Sequence, residues 1–192
     1  RKIGDRRSEG LFLMSLGSLI DDPARDEESV AFYLQAIRIY EQLGERRLQG
    51  ITLGNLGVIR LNQGRLVEAR DRFEEALTLH QAVGNRRYEG IALGCLAQIL
   101  LLEGRVQEAR EHFEAAVAAH REVKNRASEC SHTRDLGRLF LREGDLDRAE
   151  EHYQRAVELA QGGAAWNEAM ACAGLGLVQA HRGDPVGAAL WV

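Results

Sequence analysis

A short phrase recurs every forty residues along this chain. Gly-Asp-Arg-Arg begins at Gly4, Gly-Glu-Arg-Arg at Gly44 and Gly-Asn-Arg-Arg at Gly84. Residues 43–82 match residues 83–122 at 19 of 40 positions without a gap. Self-similarity at a fixed period of this size predicts a solenoid, in which each unit buries its apolar face against its neighbours. A solenoid presents an extended surface for binding, so the repeat constrains the mode of action more than the identity of the ligand.

The composition is that of a helical protein. Only two prolines occur among 192 residues, of which 45% are hydrophobic and 28% charged. No apolar stretch approaches the roughly 20 residues that cross a bilayer, and no signal-like segment opens the chain. The net charge of −4 does not favour a nucleic acid or an acidic membrane surface as partner. Three cysteines without C-x-x-C spacing, Cys95, Cys130 and Cys172, predict buried thiols in a reducing compartment, and hence a cytoplasmic location.

Two helical stripes separated by a glycine make up each repeat. In the second repeat Leu53 and Leu56 begin the first stripe, Gly64 marks a turn, and Ala69 and Phe73 belong to the second stripe. Equivalent positions in the third and fourth repeats are Leu93, Leu96, Gly104, Ala109 and Phe113, and then Thr133, Leu136, Gly144, Ala149 and Tyr153. The spacing predicts a helix, a tight turn and a second helix in every unit.

This pattern resembles the tetratricopeptide repeat over essentially the whole chain. The resemblance implies an all-α fold, an α-α superhelix (solenoid) of helix pairs. It implies a single array over residues 1–192, with repeats at 4–43 (irregular), 44–83, 84–123, 124–162 and 163–192 (incomplete). The period is 40 instead of the commoner 34, because Glu41, Gln81 and Arg121 stand where a proline usually follows the second helix. The chain is therefore similar to the long-repeat subgroup of this family.

Several local features predict how the helices pack and end. Glycine inside a helix costs about 1 kcal/mol relative to alanine, so Gly50, Gly54 and Gly57 predict close contact between helices. Asn125, like Asp5 and Asn85, is suited to cap the N-terminus of the next helix. In the first repeat an Asp-Asp-Pro-Ala segment around Pro23 replaces the turn, which we expect to differ in shape.

Arginine pairs follow the start of three repeats, at 6–7, 46–47 and 86–87. One interpretation is a set of anion sites at helix N-termini. The other, which we favour, is that glutamates nearby, such as Glu9, Glu89 and Glu129, neutralise the arginines and that the recurrence follows from duplication.

In tetratricopeptide arrays the first helices line a concave groove. Carried onto this sequence, the resemblance places the binding residues at Asn55, Asn62, Gln98, Leu101, Arg134, Arg138 and Arg142. The three arginines are spaced i, i+4, i+8 and would stack along one helix face, where guanidinium groups suit a carboxylate or a phosphate. The alternative is a solvated charged face that Asp135 and Glu143 partly neutralise. A groove of this kind suits an extended or helical peptide with an apolar stretch and an acidic end.

Catalysis finds no support in the residue pattern. His80 and His120 are repeat equivalents, as are His112 and His152, so their spacing reflects duplication and does not indicate a metal site. No phosphate-binding loop or nucleophile arrangement is recognisable. We therefore predict a protein that is not an enzyme, with no catalytic residues, no metal and no cofactor.

The predicted function is a protein–protein interaction scaffold that binds a partner peptide or helix in its concave groove. The alternative is a regulatory or sensor segment of a larger signalling protein, such as a kinase, ATPase or transcription regulator. The last repeat stops within its second helix at Trp191 and Val192, so we expect the chain to be a piece of a longer array or of a multidomain protein. Exposed array ends would also allow end-to-end self-association, whereas a membrane partner is not expected and nucleic acid is disfavoured.

Overall fold

A computed structural model of the protein describes residues 3–20 and 22–184. Within these ranges all regular structure is helical. The helices are α1 (Ile3–Leu19), α2 (Asp26–Leu43), α3 (Arg46–Asn62), α4 (Leu66–Ala82), α5 (Arg86–Leu102), α6 (Val106–Glu122), α7 (Arg126–Glu143), α8 (Leu146–Ala160) and α9 (Ala165–His181), with a short 3-10 helix at Pro23–Arg25. The predicted all-α class is confirmed. Trp191 and Val192, the predicted end of the fifth repeat, lie outside the described residues.

The chain divides into two compact units, residues 1–99 and 100–192, and the division falls within α5. In the first unit α1 packs on α2, α2 on α3 and α3 on α4. In the second unit α6 packs on α7, α7 on α8 and α8 on α9, and α7 also contacts α9. The contact between α7 and α9 joins the first helices of two successive pairs, as stacking of repeats requires. The predicted helix pairs are therefore present in each unit.

Left-handed residues end several second helices. Gly44 has φ +69°, and the Glu45 N–H that follows donates to the Tyr40 carbonyl at 2.9 Å. This pattern satisfies carbonyl groups that the end of α2 leaves without intrahelical donors. Lys124 takes the same position after α6 with φ +54°. A residue with a side chain costs roughly 1 kcal/mol more than glycine in this conformation. The left-handed turn is therefore kept after α6 although lysine makes it less favourable than glycine would.

The turn in the first repeat differs in shape, as expected. The Asp22 carboxylate accepts a hydrogen bond from the Ala24 N–H at 3.0 Å, and Pro23 begins the 3-10 helix that leads into α2. Inside α2 the buried Ser29 hydroxyl donates to the Gly17 carbonyl of α1 at 2.6 Å. The other repeats have an alanine at this position. In the first repeat the serine therefore adds a hydrogen bond between the two helices.

Aromatic rings of the second helices lie against glycines of the first. A Cβ atom added to Gly57 would lie 3.0 Å from the Phe73 ring, and one added to Gly50 would lie 2.7 Å from the His80 ring. These two contacts confirm the predicted close packing. For Gly54 the prediction is wrong, because an added Cβ would meet nothing within 4 Å.

The predicted N-caps are also wrong in part. Asp5 lies inside α1. Asn125 occupies the N-cap position of α7, but its side chain makes no capping hydrogen bond. Its amide instead donates to Ser128 Oγ at 2.9 Å and lies 3.3 Å from Nδ1 of the buried His120. The asparagine therefore holds a buried ring at the end of the preceding helix.

Glutamates pair with arginines in two of the three arginine pairs, as the favoured interpretation predicts. Arg6 donates to Glu9 at 2.8 Å, and Arg86 donates to Glu89 at 2.6 Å. Glu89 is buried, so its charge needs a partner of this kind.

None of the described helices combines the length and apolar character that a bilayer crossing requires.

Candidate binding site of the second unit

A cavity of about 140 Å³ lies in the second unit, among the end of α5, the start of α6 and the last turns of α7. It is lined by Leu101, Val106, Arg138, Leu139, Arg142 and Glu143. An engineered protein cavity of about 150 Å³ is known to hold benzene, so this one has room for a single aliphatic or aromatic side chain. Three aliphatic residues form its apolar part, and the charged residues come from α7.

Two of the predicted arginines meet at this cavity. Arg138 and Arg142 are four residues apart on α7 and therefore lie on the same helix face. Arg138 is 57% exposed and donates to the buried Asp135 carboxylate at 3.1 Å. Arg142 is exposed and makes no ion pair within the described part of the chain. Among the described residues, no carboxylate forms an ion pair with this positive charge at the cavity rim.

Glu143 does not neutralise Arg142. Both of its carboxylate oxygens accept hydrogen bonds from Arg110 of α6 at 2.6 Å. The Arg110 guanidinium also lies over the Phe140 ring at 5.0 Å from its centroid, which fixes its direction. Two acidic residues were predicted to neutralise the arginine row. Asp135 does pair with Arg138, whereas Glu143 pairs with Arg110 of α6.

Arg134 is not part of the lining of this cavity. Its side chain is half-buried, and its Nη1 atom has no hydrogen-bond acceptor among the described residues. The i, i+4, i+8 spacing thus brings two of the three arginines together at the cavity and leaves the third deeper in the unit.

The remaining predicted residues belong to the first unit. Asn55 is half-buried on α3 near Tyr33, whose pKa is raised by burial. Asn62 is the exposed last residue of α3, and Gln98 is exposed on α5. Asn55 is therefore partly enclosed by the fold, whereas Asn62 and Gln98 face solvent.

Sequence reasoning missed two aliphatic members of the cavity. Val106 begins α6 directly after the turn, and Leu139 is buried on α7. Their repeat equivalents, Leu66 and Ile59, are also aliphatic. Aliphatic residues at the same two places in the second, third and fourth repeats were the available signal, but this pattern also fits ordinary core packing and does not single out a cavity.

The described residues hold no cluster of three or more histidine, cysteine or acidic side chains suited to a metal ion. The three cysteines are free, but only Cys130 is buried as predicted, whereas Cys95 and Cys172 are half-buried. Burial raises the pKa of the Cys95 thiol to about 11 and also raises the pKa of Cys130. Since the thiolate is the reactive form, these two thiols are packing groups at neutral pH.

Comparison with known proteins identifies the family. A tetratricopeptide repeat model matches residues 24–82 and 88–162, and a second tetratricopeptide repeat model matches residues 134–192. These matches cover well over half of the sequence. The chain belongs to the tetratricopeptide repeat family.

Solved structures show the same fold at low sequence identity. Aspartyl phosphate phosphatase F from Bacillus subtilis is 15% identical with a TM-score of 0.82, over 96% of this chain and 48% of that one. The tetratricopeptide repeat sensor of a signal transduction ATPase with numerous domains from Pyrococcus horikoshii is 17% identical with a TM-score of 0.80, over 99% of this chain and 30% of that one. BtubC from P. vanneervenii is 19% identical with a TM-score of 0.70, over 100% and 87% of the two chains. No curated protein sequence matches the chain.

Proposed function

We propose that this protein is a non-catalytic interaction module that binds a partner protein through an apolar side chain flanked by a carboxylate. The observation that carries the proposal is Arg142, an exposed arginine without an ion pair in the described residues, at the rim of the cavity formed by Leu101, Val106 and Leu139. The aliphatic residues receive the apolar side chain, and the guanidinium groups of Arg142 and Arg138 receive the carboxylate.

Family membership supports a role in binding, because stacked helix pairs expose long surfaces that need no chemistry of their own. We also include Asn62 and Gln98 of the first unit as partner contacts, because both side chains are exposed. Asn55 and Arg134 are half-buried, so we expect them to contribute less to partner contacts. A cytoplasmic location is part of the proposal and is supported by three free cysteines in a chain with no disulfide among its described residues.

The test is a peptide array probed with the purified chain, in which each peptide places a leucine beside an aspartate or beside an asparagine. We expect the aspartate series to bind more strongly. Arg138→Glu combined with Arg142→Glu should weaken that binding by about tenfold or more, since an exposed ion pair contributes up to about 1 kcal/mol and reversal adds repulsion. Equal binding of the two peptide series, or equal binding by the double variant, would contradict the proposal.

The matched control reverses two exposed arginines of the first unit, Arg38→Glu and Arg87→Glu, which change the net charge by the same amount. This control should keep the affinity for the aspartate peptides. Circular dichroism of both double variants should equal that of the parent chain, because all four side chains are exposed.

A regulatory role inside a larger signalling protein is the second candidate. It is supported by the match of 99% of this chain to the sensor-bearing ATPase, of which it covers only 30%. In that case the module would bind a neighbouring domain of its own parent. Appending the parent's flanking sequence should then reduce capture of the aspartate peptides, whereas a free scaffold would bind them equally in both forms.

A further inference from the structure

Helix α9 carries an apolar face that is open to solvent in the described structure. Trp166 is 69% exposed, Met170 37% and Leu177 52%. Together with the exposed Ala173 they are spaced i, i+4, i+7 and i+11, so they lie on one face of the helix. We call these four residues the α9 stripe. Contiguous apolar surface of this kind, unlike single exposed residues, marks a site of interaction.

The α9 stripe departs from the pattern of the earlier repeats. The buried Leu175 of α9 corresponds to the buried Leu96 and Leu136 and so fixes the alignment. The residues equivalent to the stripe are Arg87, Ile91, Gly94 and Gln98 in the third repeat, and Ala127, Ser131, Arg134 and Arg138 in the fourth. Trp166 and Leu177 therefore replace the charged and polar side chains that the third repeat has at these two positions.

Helices that follow a first helix do not cover its stripe. The second repeat shows this, because α3 is followed by α4 and α5 in the chain. Even so, Arg47 is exposed, Val58 is 42% exposed, and a Cβ atom added to Gly54 would meet nothing within 4 Å. These residues are the equivalents of Trp166, Leu177 and Ala173. By the same geometry, a cover for the α9 stripe comes from another molecule.

Arginines lie beside the α9 stripe. Arg134 and Arg138 occupy the equivalent positions on α7, which packs on α9. The ring of Tyr153 lies against Gly174 of α9. Burial raises the pKa of this tyrosine, and the nearby charges of Arg138 and Arg134 lower it. Asp135 is close to the same ring, but it is buried and paired with Arg138. Since Arg138 is 57% exposed, its guanidinium keeps donors for a carboxylate from outside.

A second copy of this chain does not supply that carboxylate from its own α9 stripe. The one acidic residue of α9 is Glu168. At about 100° per residue, it lies roughly 160° around the helix from Met170. Symmetric pairing of two α9 stripes would therefore cover the apolar side chains and leave Arg138 without a new partner.

We propose that the α9 stripe binds an amphipathic α-helix of a partner protein, with its apolar side chains on the stripe and a carboxylate toward Arg138. Such a helix repeats apolar residues at the same spacing as the stripe, and the small Ala173 leaves room for a larger side chain between Met170 and Leu177. The inference rests on the proposed role in protein binding, but it uses a surface other than the cavity beside Arg142.

The test uses three dye-labelled peptides of about 18 residues, a length that allows a helix in water. The first is an amphipathic helix with leucines on one face and glutamates beside them. The second has lysine in place of each glutamate, and the third has the composition of the first with the leucines spread around the helix. Fluorescence anisotropy should show saturable binding of the first peptide. The lysine peptide should bind at least about fivefold more weakly and the scrambled peptide at least about tenfold more weakly.

The variant chain Trp166→Arg plus Leu177→Gln restores the residues of the third repeat at these positions. Both side chains are exposed, so the variant should fold, and it should weaken binding of the first peptide about tenfold or more. The matched control is Leu19→Gln, which replaces a leucine that is 77% exposed on α1 and should leave the affinity unchanged.

A charge variant, Arg138→Gln, tests the carboxylate contact. It should weaken binding of the glutamate peptide roughly two- to fivefold and should not weaken binding of the lysine peptide. The amide spectrum of each variant without peptide checks its fold.

Two further measurements separate this inference from the proposed function. The short aspartate peptides should bind equally to the parent chain and to Trp166→Arg plus Leu177→Gln, and the glutamate helix should bind Arg142→Glu within about twofold of the parent chain. Failure of the aspartate peptides alone would contradict the proposed function and leave the helix site standing.

Four results would overturn the helix site itself. They are no saturable binding of the glutamate helix up to about 1 mM, equal binding of the lysine or the scrambled peptide, unchanged binding by Trp166→Arg plus Leu177→Gln, and self-association of the parent chain in sedimentation that this variant abolishes. The last result would assign the α9 stripe to a second copy of the chain.

Discussion

The ring of Tyr153 lies so close to Gly174 that a Cβ atom added to this glycine would be 2.2 Å from the ring. Tyr153 is 3% exposed on α8. We expect Gly174→Ala to lower the free energy of unfolding by about 1–3 kcal/mol, because overpacking outweighs the better helix propensity of alanine. Urea denaturation measures this change, and unchanged stability would show that the ring can shift.

Gly54 should behave in the opposite way. It lies inside α3, and an added Cβ would meet nothing within 4 Å. Gly54→Ala should raise the free energy of unfolding by up to about 1 kcal/mol through helix propensity alone. Urea denaturation again measures the change. Because both variants replace a helical glycine by alanine, opposite signs would show that the contact with the Tyr153 ring, and not the substitution itself, decides the outcome.

Leu96 is a core residue of the first unit. It is 5% exposed and packs with Ala69, Phe73 and Ile99. Leu96→Ala should lower the free energy of unfolding by about 2–5 kcal/mol, because it removes buried methyl groups and leaves a cavity. Peptide binding, measured under conditions where the variant is folded, should stay within twofold of the parent chain.

His80 should make the first unit sensitive to acid. Burial lowers its pKa below the ordinary value of about 6.5, so the unfolded state binds a proton more readily than the folded state. The stabilising contribution is present above pH 6.5 and is lost as the pH falls through the folded pKa, with a slope of up to about 1.4 kcal/mol per pH unit.

The variant His80→Tyr isolates this effect. Tyr40 is the repeat equivalent, is fully buried and lies against Gly10 much as His80 lies against Gly50. Tyrosine does not titrate in this range, so the variant should lose less stability than the parent chain between pH 7 and pH 5. Thermal melts across this range provide the comparison. Equal acid sensitivity would assign the effect to other groups, among them His152.

Cys95 should resist alkylation. With a pKa of about 11, roughly one thiol in a thousand is ionised at pH 8. Iodoacetamide followed by mass spectrometry should label Cys95 in denaturant and leave it unmodified in the folded protein over the same time. Labelling of the folded protein at the rate of a free cysteine would contradict the burial of this side chain.

The sequence was sufficient for features that depend on one position and its repeat equivalents. Close helix contact was predicted in this way and is present at Gly50 and Gly57, although not at Gly54. The sequence did not predict hydrogen-bond and ion-pair partners where a side chain had several candidates within reach. The Asn125 amide bonds to Ser128 and lies near His120 instead of capping α7, and Glu143 pairs with Arg110, since each choice depends on the distance between neighbouring helices.

The same distinction applies to the candidate sites. The row of arginines on α7 was evident from the sequence spacing, but the half-buried position of Arg134 was not. Spacing shows the direction in which a side chain leaves the helix, but it does not show how far neighbouring helices cover that side chain.

The two acidic residues beside the arginines of α7 are held by different helices. Asp135 pairs with Arg138 on α7 itself, whereas Glu143 pairs with Arg110 of α6. Arg142 therefore lacks a carboxylate partner among the described residues only while α6 stays packed on α7, so a residue one helix away sets the charge of this surface.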